Sequence, residues 1–301
     1  MRFGVAVPAY GPGAEGSAVR DTVAAAEELG FESAWLPDHV AVPDYATTVN
    51  LSPPFLEPMA ACGWVLGATT RLRFGTDVLV APYRHPLLVA AMAGTLARLG
   101  GDRMVLGVGI GYLRGEFDVL GLEYDRRAAV TEEFLRALRS PPEGFHVVSG
   151  PTPVPVWVGG NSAGARRRAA LLGDGWHPLW MPDDAYRAAR AEITAIRAEA
   201  GLGGAFTFSY SGGATRLLDA DPGDWPAPPP RAPVGSEFRY APAAWTADGG
   251  RPRLVGTPDQ LIGDLRLLAD AGVDHLVLRF GQGGVAQLAR FAAEVAPAFV
   301  R

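Results

Sequence analysis

The chain places a carboxylate beside an imidazole at Asp38 and His39, just after the apolar run Ser33–Leu36 and Pro37. An imidazole gains and loses a proton near neutral pH, so a histidine in such a pair suits general acid–base catalysis. If the run is a strand of a parallel eight-stranded barrel, its C-terminal tip is where catalytic residues lie. The alternative is structural, since an Asp-His pair can also cap the segment that follows.

Glycine occupies every second position from residue 107 to residue 111, in the sequence Gly-Val-Gly-Ile-Gly-Tyr. The pattern fails the dinucleotide-binding fingerprint, because Tyr112 or Arg114 stands where the third glycine belongs. Glycines at a strand end also let a flat or phosphorylated ligand approach the main chain closely. We therefore expect a ligand-binding loop here and not a Rossmann phosphate turn.

A second glycine turn, Gly159–Ser162, precedes a helical segment at residues 163–172. Ser162 is a suitable N-cap for that helix. Exposed N–H groups, the positive helix end and the arginines at positions 166–168 together favour an anion-binding site. The alternative is an ordinary capped helix whose arginines are solvated.

A third apolar run is broken by Gly75, Thr76 and Asp77. A glycine inside a strand marks a bulge or a close approach by a ligand. The next polar group, Arg84-His85-Pro86, ends the run and begins a helix. We interpret that trio as structural.

Composition excludes several kinds of chemistry. All 27 basic residues of the 301-residue chain are arginine, so a Schiff-base lysine and a P-loop lysine are both impossible.

A net charge of −5 argues against nucleic acid as a partner, and no apolar stretch is long enough to predict a membrane span. The five histidines lack metal-ligand spacing, so we expect no metal, and no G-x-S-x-G elbow predicts a hydrolase. The single cysteine, Cys62, fits a reducing compartment, and we expect a cytoplasmic protein with a small-molecule substrate.

Eight strand-like runs alternate with helical patterns along the chain. Several runs are apolar throughout, as expected of parallel strands covered on both faces. The alternation predicts an α/β fold, a (β/α)₈ TIM barrel, formed as a single domain by residues 1–301. The predicted strands are Arg2–Val7, Ser33–Leu36, Leu72–Val80, Met104–Val108, Val154–Val158, Trp176–Leu179, Phe206–Gly212 and His275–Phe280.

Residues 219–252 interrupt this rhythm with a stretch rich in proline and glycine. An irregular segment of about thirty residues inside a compact domain is either a lid or a flexible insertion. Trp225, Phe238, Tyr240 and Trp245 could anchor it, so we favour a partly ordered cover over the barrel mouth.

Together these motifs resemble the luciferase-like monooxygenase superfamily, and within it the oxidoreductases that use the deazaflavin coenzyme F420. The likeness extends along nearly the whole chain, and the ordered set is more specific than any one motif. The matching segments are 35–39 (WLPDH), 73–79 (RFGTDVL), 83–86 (YRHP), 101–111 (GDRMVLGVGIG), 116–117 (EF), 156–162 (VWVGGNS) and 173–176 (GDGW).

The resemblance implies a flat cofactor lying across the barrel mouth. It implies a cis peptide bond between Asp77 and Val78 in the strand-three bulge, although Asp77 stands where the family usually has a small residue. It also implies that His39 and Glu116 are catalytic, with His39 exchanging a proton. The positions implied to contact the cofactor are Asp38, Thr76, Asp77, Val78, Gly109, Ile110, Gly111, Tyr112, Gly159, Gly160, Asn161, Ser162 and Arg166.

The resemblance further implies hydride transfer between C5 of the deazaflavin and a small organic substrate. Relatives that oxidise a sugar phosphate hold the phosphate partly with lysines, which this chain lacks. We therefore expect reduction of a C=C or C=N bond, by an enzyme that is a homodimer. Two alternatives stay open: an FMN-dependent monooxygenase on the same fold, and a non-catalytic relative that binds a cofactor or a partner. The Asp-His pair favours F420, because the monooxygenases often carry Glu-His-His there.

Overall fold

The computed structural model describes residues 1–44, 53–140, 142–148, 154–223, 225, 251–281 and 284–299. Its strands are β1 Arg2–Ala6, β2 Ser33–Leu36, β3 Arg73–Thr76, β4 Leu79–Val80, β5 Met104–Gly109, β6 Val156–Gly159, β7 Gly175–His177, β8 Thr207–Ala214, β9 Arg216–Leu217, β10 Val255–Gly256 and β11 His275–Arg279. Its α-helices are α1 Gly16–Glu28, α2 Pro58–Ala68, α3 Pro86–Gly100, α4 Arg114–Val119, α5 Arg127–Arg139, α6 Ala163–Leu172, α7 Asp183–Glu199, α8 Pro258–Asp270 and α9 Gly284–Glu294.

The main sheet closes on itself as a parallel barrel. Its order is β3-β2-β1-β11-β8-β7-β6-β5-β4, and an additional pairing joins β3 to β5. β3 and β4 are two halves of one interrupted strand, which we call the third barrel strand. Counted in this way, the barrel has eight strands with helices between them. The predicted (β/α)₈ barrel is confirmed, and each of the eight predicted runs overlaps a barrel strand, with ends that differ by up to two residues at several strands. The short parallel pair of β9 with β10 was not predicted.

The interruption between β3 and β4 is a bulge, one of the two features that the interior glycine, Gly75, predicted. Gly75 pairs with Val105 and Leu79 pairs with Val108. An advance of four residues along the third barrel strand therefore lies opposite an advance of three residues along β5. The Asp77–Val78 peptide bond within this bulge is cis, as the resemblance implied.

The position of the bulge, and of the Val78 side chain in particular, explains why the neighbouring strands carry glycine where they face it. A Cβ added to Gly109 would lie 2.5 Å from the Val78 side chain, and one added to Gly159 would lie 3.1 Å from it. A Cβ on Gly107 would lie 2.0 Å from the carbonyl oxygen of Thr76. The expectation that these strand-end glycines leave room for a ligand therefore needs correction, because the room is filled by the bulge of the protein itself.

The insertion is held at both of its ends. β9 precedes it and β10 follows it, and the two pair with each other. Arg251, at its C-terminal end, binds the carboxylate of Asp264 on α8 through two nitrogens at 2.9 and 2.6 Å. Residues 224 and 226–250, with the aromatic anchors Phe238, Tyr240 and Trp245, lie outside the described residues, so the predicted cover is not tested.

Within the described ranges, none of the helices has the length and apolar character that crossing a membrane requires.

We predict that Gly107→Ala destabilises the protein by about 3 kcal/mol or more, because a methyl group cannot fit against the Thr76 carbonyl. Urea denaturation followed by tryptophan fluorescence measures the change. The control is Gly263→Ala in α8, where an added Cβ meets no atom within 4 Å and should stabilise the helix by about 0.5–1 kcal/mol. Equal effects of the two variants would contradict the packing argument.

Candidate active site

A buried ion pair fixes the tip of β2. The Asp38 carboxylate is 0% exposed and receives two hydrogen bonds from the Arg84 guanidinium, at 2.6 and 2.8 Å. It also accepts a hydrogen bond from the Val80 N–H at 2.7 Å. The tip of β2 is thereby tied to β4 and to the turn that follows it.

Arg84 extends this connection to the next helix. Its Nη2 donates to Glu57 Oε1 at 2.8 Å, and Glu57 caps α2 by accepting from the Ala60 N–H at 2.7 Å. Burial disfavours the Arg84 cation, but its hydrogen bonds to Asp38 and Glu57 outweigh burial and raise the pKa of the guanidinium. The loop that carries His39 therefore leaves the barrel from a point fixed by three charged side chains.

Glu116, on α4, is a buried carboxylate whose acceptor positions are filled. Its Oε1 accepts from the N–H groups of Val40 and Ala41 at 2.8 and 3.2 Å. Its Oε2 accepts from His39 Nδ1 and from the Tyr83 hydroxyl, each at 3.0 Å. Burial raises the pKa of Glu116, but the bonds from His39 and the two N–H groups outweigh it and leave that pKa below its ordinary value.

His39 lies between this carboxylate and a tyrosine. Its Nδ1 contacts Glu116, and its Nε2 lies 3.2 Å from the hydroxyl oxygen of Tyr112. The rings of Phe55 and Tyr112 meet its ring edge-on, with centroids 5.0 and 5.7 Å away. The arrangement is a continuous hydrogen-bonded chain from Glu116 through His39 to Tyr112, which can carry a proton.

A second polar network crosses the inside of the barrel. The Asp77 side chain is 2% exposed and contacts His177 Nε2 at 2.9 Å, the Ser211 hydroxyl at 3.1 Å and the Arg279 guanidinium. Burial disfavours the Asp77 anion, but the positive charge of Arg279 and the hydrogen bonds hold the pKa of this carboxyl below its ordinary value. His177 also contacts Ser209 and stacks on Trp35 with centroids 5.0 Å apart.

The predicted cofactor contacts divide by exposure. Asp38, Thr76 and Asp77 have buried side chains bonded to protein groups, and the Thr76 hydroxyl donates to the Gly107 carbonyl at 2.6 Å. Asp38 and Thr76 are buried as whole residues, whereas Asp77 is partly exposed through its main chain, since its side chain is 2% exposed. By contrast, Val78, Ile110, Gly111, Tyr112 and Gly160 are partly exposed, and Asn161 and Ser162 are exposed.

The turn before α6 has the predicted cap. The Ser162 hydroxyl accepts from the Ala165 N–H at 3.2 Å, and α6 spans the predicted residues. Arg166 is engaged within the protein, with Nε donating to Glu192 at 2.6 Å and Nη1 donating to the Asn161 carbonyl at 2.8 Å. Arg168 is buried and Arg167 is exposed, so of these arginines Arg167 alone extends freely into solvent.

Several residues of the site were not found from the sequence. Arg84 lies in the trio that we interpreted as structural, and it does act structurally, through Asp38. Tyr83, just before that trio, was given no role. His177 and Arg279 are the last residues of barrel strands, and His39 follows closely after one. The rule that catalytic residues lie at the C-terminal ends of barrel strands, which pointed to His39, could therefore have pointed to these two residues as well. Their pairing with Asp77 carried no sequence signal, because the residues are 100 and 202 positions from it.

Comparison with known sequences identifies relatives. The sequence profile described as luciferase-like monooxygenase matches residues 1–215. An uncharacterised protein of Mycobacterium tuberculosis is 34% identical over 204 residues, which cover 59% of this chain and 70% of the relative. An FMNH(2)-dependent dimethylsulfone monooxygenase of Pseudomonas fluorescens is 26% identical over 268 residues, covering 74% and 72%.

Solved structures share the fold. An F420-dependent secondary alcohol dehydrogenase in complex with an F420-acetone adduct gives a TM-score of 0.77 at 18% identity, covering 100% of this chain and 99% of that one. Monooxygenase RslO1 from Streptomyces bottropensis gives 0.78 at 18%, covering 100% of both chains. At this identity the likeness shows a common barrel and nothing about the ligand.

We predict that Arg84→Met destabilises the protein by about 3–5 kcal/mol, because it leaves the buried Asp38 carboxylate without its cation. Urea denaturation measures the loss. The control is Arg136→Met, which removes an exposed pair with Glu132 on the same helix and should change the unfolding free energy by less than about 0.5 kcal/mol. A loss below about 1 kcal/mol for Arg84→Met would show that the pair does not hold the β2 tip.

Proposed function

Because the chain belongs to the luciferase-like monooxygenase family, we propose that it is an oxidoreductase with a flat, flavin-like cofactor across the mouth of its barrel. We propose further that this cofactor is coenzyme F420 and that the substrate is a small molecule whose C=C or C=N bond is reduced. The observation that carries the proposal is the chain of hydrogen bonds from Glu116 through His39 to Tyr112. It can deliver the proton that must accompany a hydride.

The mouth has a surface that suits a flat ring. Val78 lies between Gly109 and Gly159 and is partly exposed, and we assign to it the apolar platform on which the ring would lie. Ile110 and Gly111 continue this partly exposed surface beyond the end of β5. A planar ring could lie against Val78 without meeting side chains from either glycine, so the residues present fit the proposed group.

The turn at Gly160, Asn161 and Ser162 suits the anionic end of such a cofactor. It lies at the start of α6, where main-chain N–H groups and the helix dipole favour negative charge. Because Arg166 already pairs with Glu192, we assign the anion to the main chain and the Ser162 hydroxyl, with Arg166 shaping the turn through the Asn161 carbonyl. When bound, the deazaflavin would supply a hydride from its C5 carbon.

The protein's own part is to hold and move the proton. Glu116 is ionised, so His39 Nδ1 must carry the hydrogen of the bond between them. That bond fixes the orientation and tautomer of the ring. Glu116 therefore acts through His39, and the buried Asp38–Arg84 pair acts by positioning the loop that holds it.

An FMN-dependent monooxygenase is the second candidate. The dimethylsulfone monooxygenase supports it, since that relative is described as FMNH(2)-dependent and aligns over 74% of this chain. The Asp38–His39 sequence supports the first candidate. The platform at Val78 suits either ring, so direct binding separates the two.

We predict that the purified protein binds F420 with a dissociation constant in the low micromolar range or below and does not retain FMN. Quenching of tryptophan fluorescence during titration with each cofactor, in both redox states, measures this. Ser162→Ala should weaken binding by about 1–3 kcal/mol through a lost charge-assisted hydrogen bond. Thr257→Ala removes a similar cap from α8 and serves as the matched control. Stoichiometric FMN binding with none of F420 would establish the second candidate instead.

We predict that His39→Ala keeps cofactor affinity and lowers the hydride-transfer rate by about 10²–10⁴-fold, the usual contribution of a general acid or base. The assay follows loss of reduced F420 absorbance with a panel of enones and cyclic imines. The pH profile of the variant should lose one limb. His39→Gln keeps a hydrogen-bonding group without proton transfer, so activity preserved in Gln but not in Ala would assign His39 to substrate orientation. Activity preserved in both would end its catalytic assignment.

A further inference from the structure

Both nitrogens of the His39 ring are engaged within the protein. Nδ1 faces Glu116 at 3.0 Å and Nε2 faces the Tyr112 hydroxyl at 3.2 Å. The side chain is 8% exposed, and the rings of Phe55 and Tyr112 cover its edges. A substrate at the mouth would therefore meet the partly exposed Tyr112 before it could reach a nitrogen of His39.

The direction of the hydrogen bond to Tyr112 follows from the charge on Glu116. Four donors reach that carboxylate, and an ionised carboxylate only accepts. His39 therefore carries hydrogen on Nδ1, and in the neutral ring Nε2 accepts from the phenol. When the ring takes a second proton, Nε2 donates to the phenol oxygen instead, and the phenol hydrogen is released for another acceptor.

The main chain around Tyr112 is built to hold this side chain at the mouth. Gly111 has a φ of +74°, and a Cβ there would lie 2.7 Å from Val80 and 2.9 Å from Phe117. The Tyr112 carbonyl accepts from the Tyr124 hydroxyl at 3.1 Å. The turn is thus fixed from both sides, and it lies just beyond Gly109, which packs on the Val78 platform.

We propose that the Tyr112 hydroxyl transfers the proton directly to and from the substrate, with His39 as the proton reservoir behind it. This inference rests on the proposed oxidoreductase function. In the reducing direction the Tyr112 O–H bond breaks and its proton bonds to the substrate atom left with the electron pair. The His39 Nε2–H proton moves at the same time to the phenol oxygen. The substrate gains a hydride and a proton, Tyr112 returns to its neutral form, and His39 changes from imidazolium to neutral imidazole until solvent reprotonates it.

A purely structural role for Tyr112 predicts different behaviour. The hydroxyl would then only orient the ring, and His39 would transfer a single proton itself once the substrate had displaced the phenol. The two roles differ in how many protons move in the chemical step. They also differ in whether that number changes when the hydroxyl is removed.

The first test uses the free protein and needs no substrate. In protein labelled with ¹⁵N-histidine, the NMR shifts recorded across a pH titration should show that the neutral form of the His39 ring carries hydrogen on Nδ1 and has an accepting Nε2. Tyr112→Phe should shift the Nε2 resonance and leave Nδ1 nearly unchanged, whereas Tyr83→Phe, which removes a donor to Glu116, should act mainly on Nδ1. An Nε2 resonance that does not respond to Tyr112→Phe would overturn the inference.

The second test measures the half-reaction of the loaded enzyme in mixtures of H₂O and D₂O. The wild type should give a curved proton inventory, since two protons move together. Tyr112→Phe should reduce the rate by about 10²–10³-fold, the range of general acid catalysis, with unchanged cofactor affinity and a linear inventory. A rate within threefold of wild type, with the wild-type inventory, would overturn the role of Tyr112 and leave the proposed function intact. A wild type that neither binds nor oxidises reduced F420 or reduced FMN would overturn the proposed function instead.

Discussion

The Asp38 carboxylate is buried where an anion needs a cation beside it, and the Arg84 guanidinium is that cation. A buried anion without a partner is strongly destabilising, and the bidentate pair with Arg84 removes that penalty while the Val80 N–H fills a further acceptor position. The pair joins the tip of β2 to the end of β4 and, through Glu57, to α2. Because His39 follows Asp38 directly, this pair positions the main chain that carries His39.

The site then uses two more buried carboxylates in the same way. Glu116 and Asp77 are each surrounded by donors, and each has a pKa below its ordinary value in spite of burial. Their charges are fixed near neutral pH, so neither is suited to give up a proton. In the proposed mechanism, proton transfer is left to His39, which is bonded to Glu116, and to Tyr112, which is bonded to His39. The barrel interior is held instead by Asp77 with His177 and Arg279.

Solved structures with this fold include an enzyme in complex with an F420 adduct and one named a monooxygenase. A barrel that serves more than one chemistry does so through side chains at its mouth, because the strands below supply position and not reactivity. For this chain we propose that those side chains are Val78 and the hydrogen-bonded chain that ends at Tyr112. Inside the barrel, Asp77 brings a negative charge into the bulge, and Arg279 balances it.

The sequence by itself determined the barrel, the helix caps and the position of the bulge. Apolar periodicity, N-cap residues and an interior glycine act over a few neighbouring residues, so they can be recognised in the sequence, and the structure confirmed the predictions at Ser162 and Gly75. Tertiary structure decided which groups meet. It brought Glu116 to His39 across 77 positions and Arg279 to Asp77 across 202, and it filled with Val78 the space that the glycines seemed to leave for a ligand. These contacts depend on strand register and on closure of the barrel, and no local pattern encodes a distance between residues that only the closed sheet brings together.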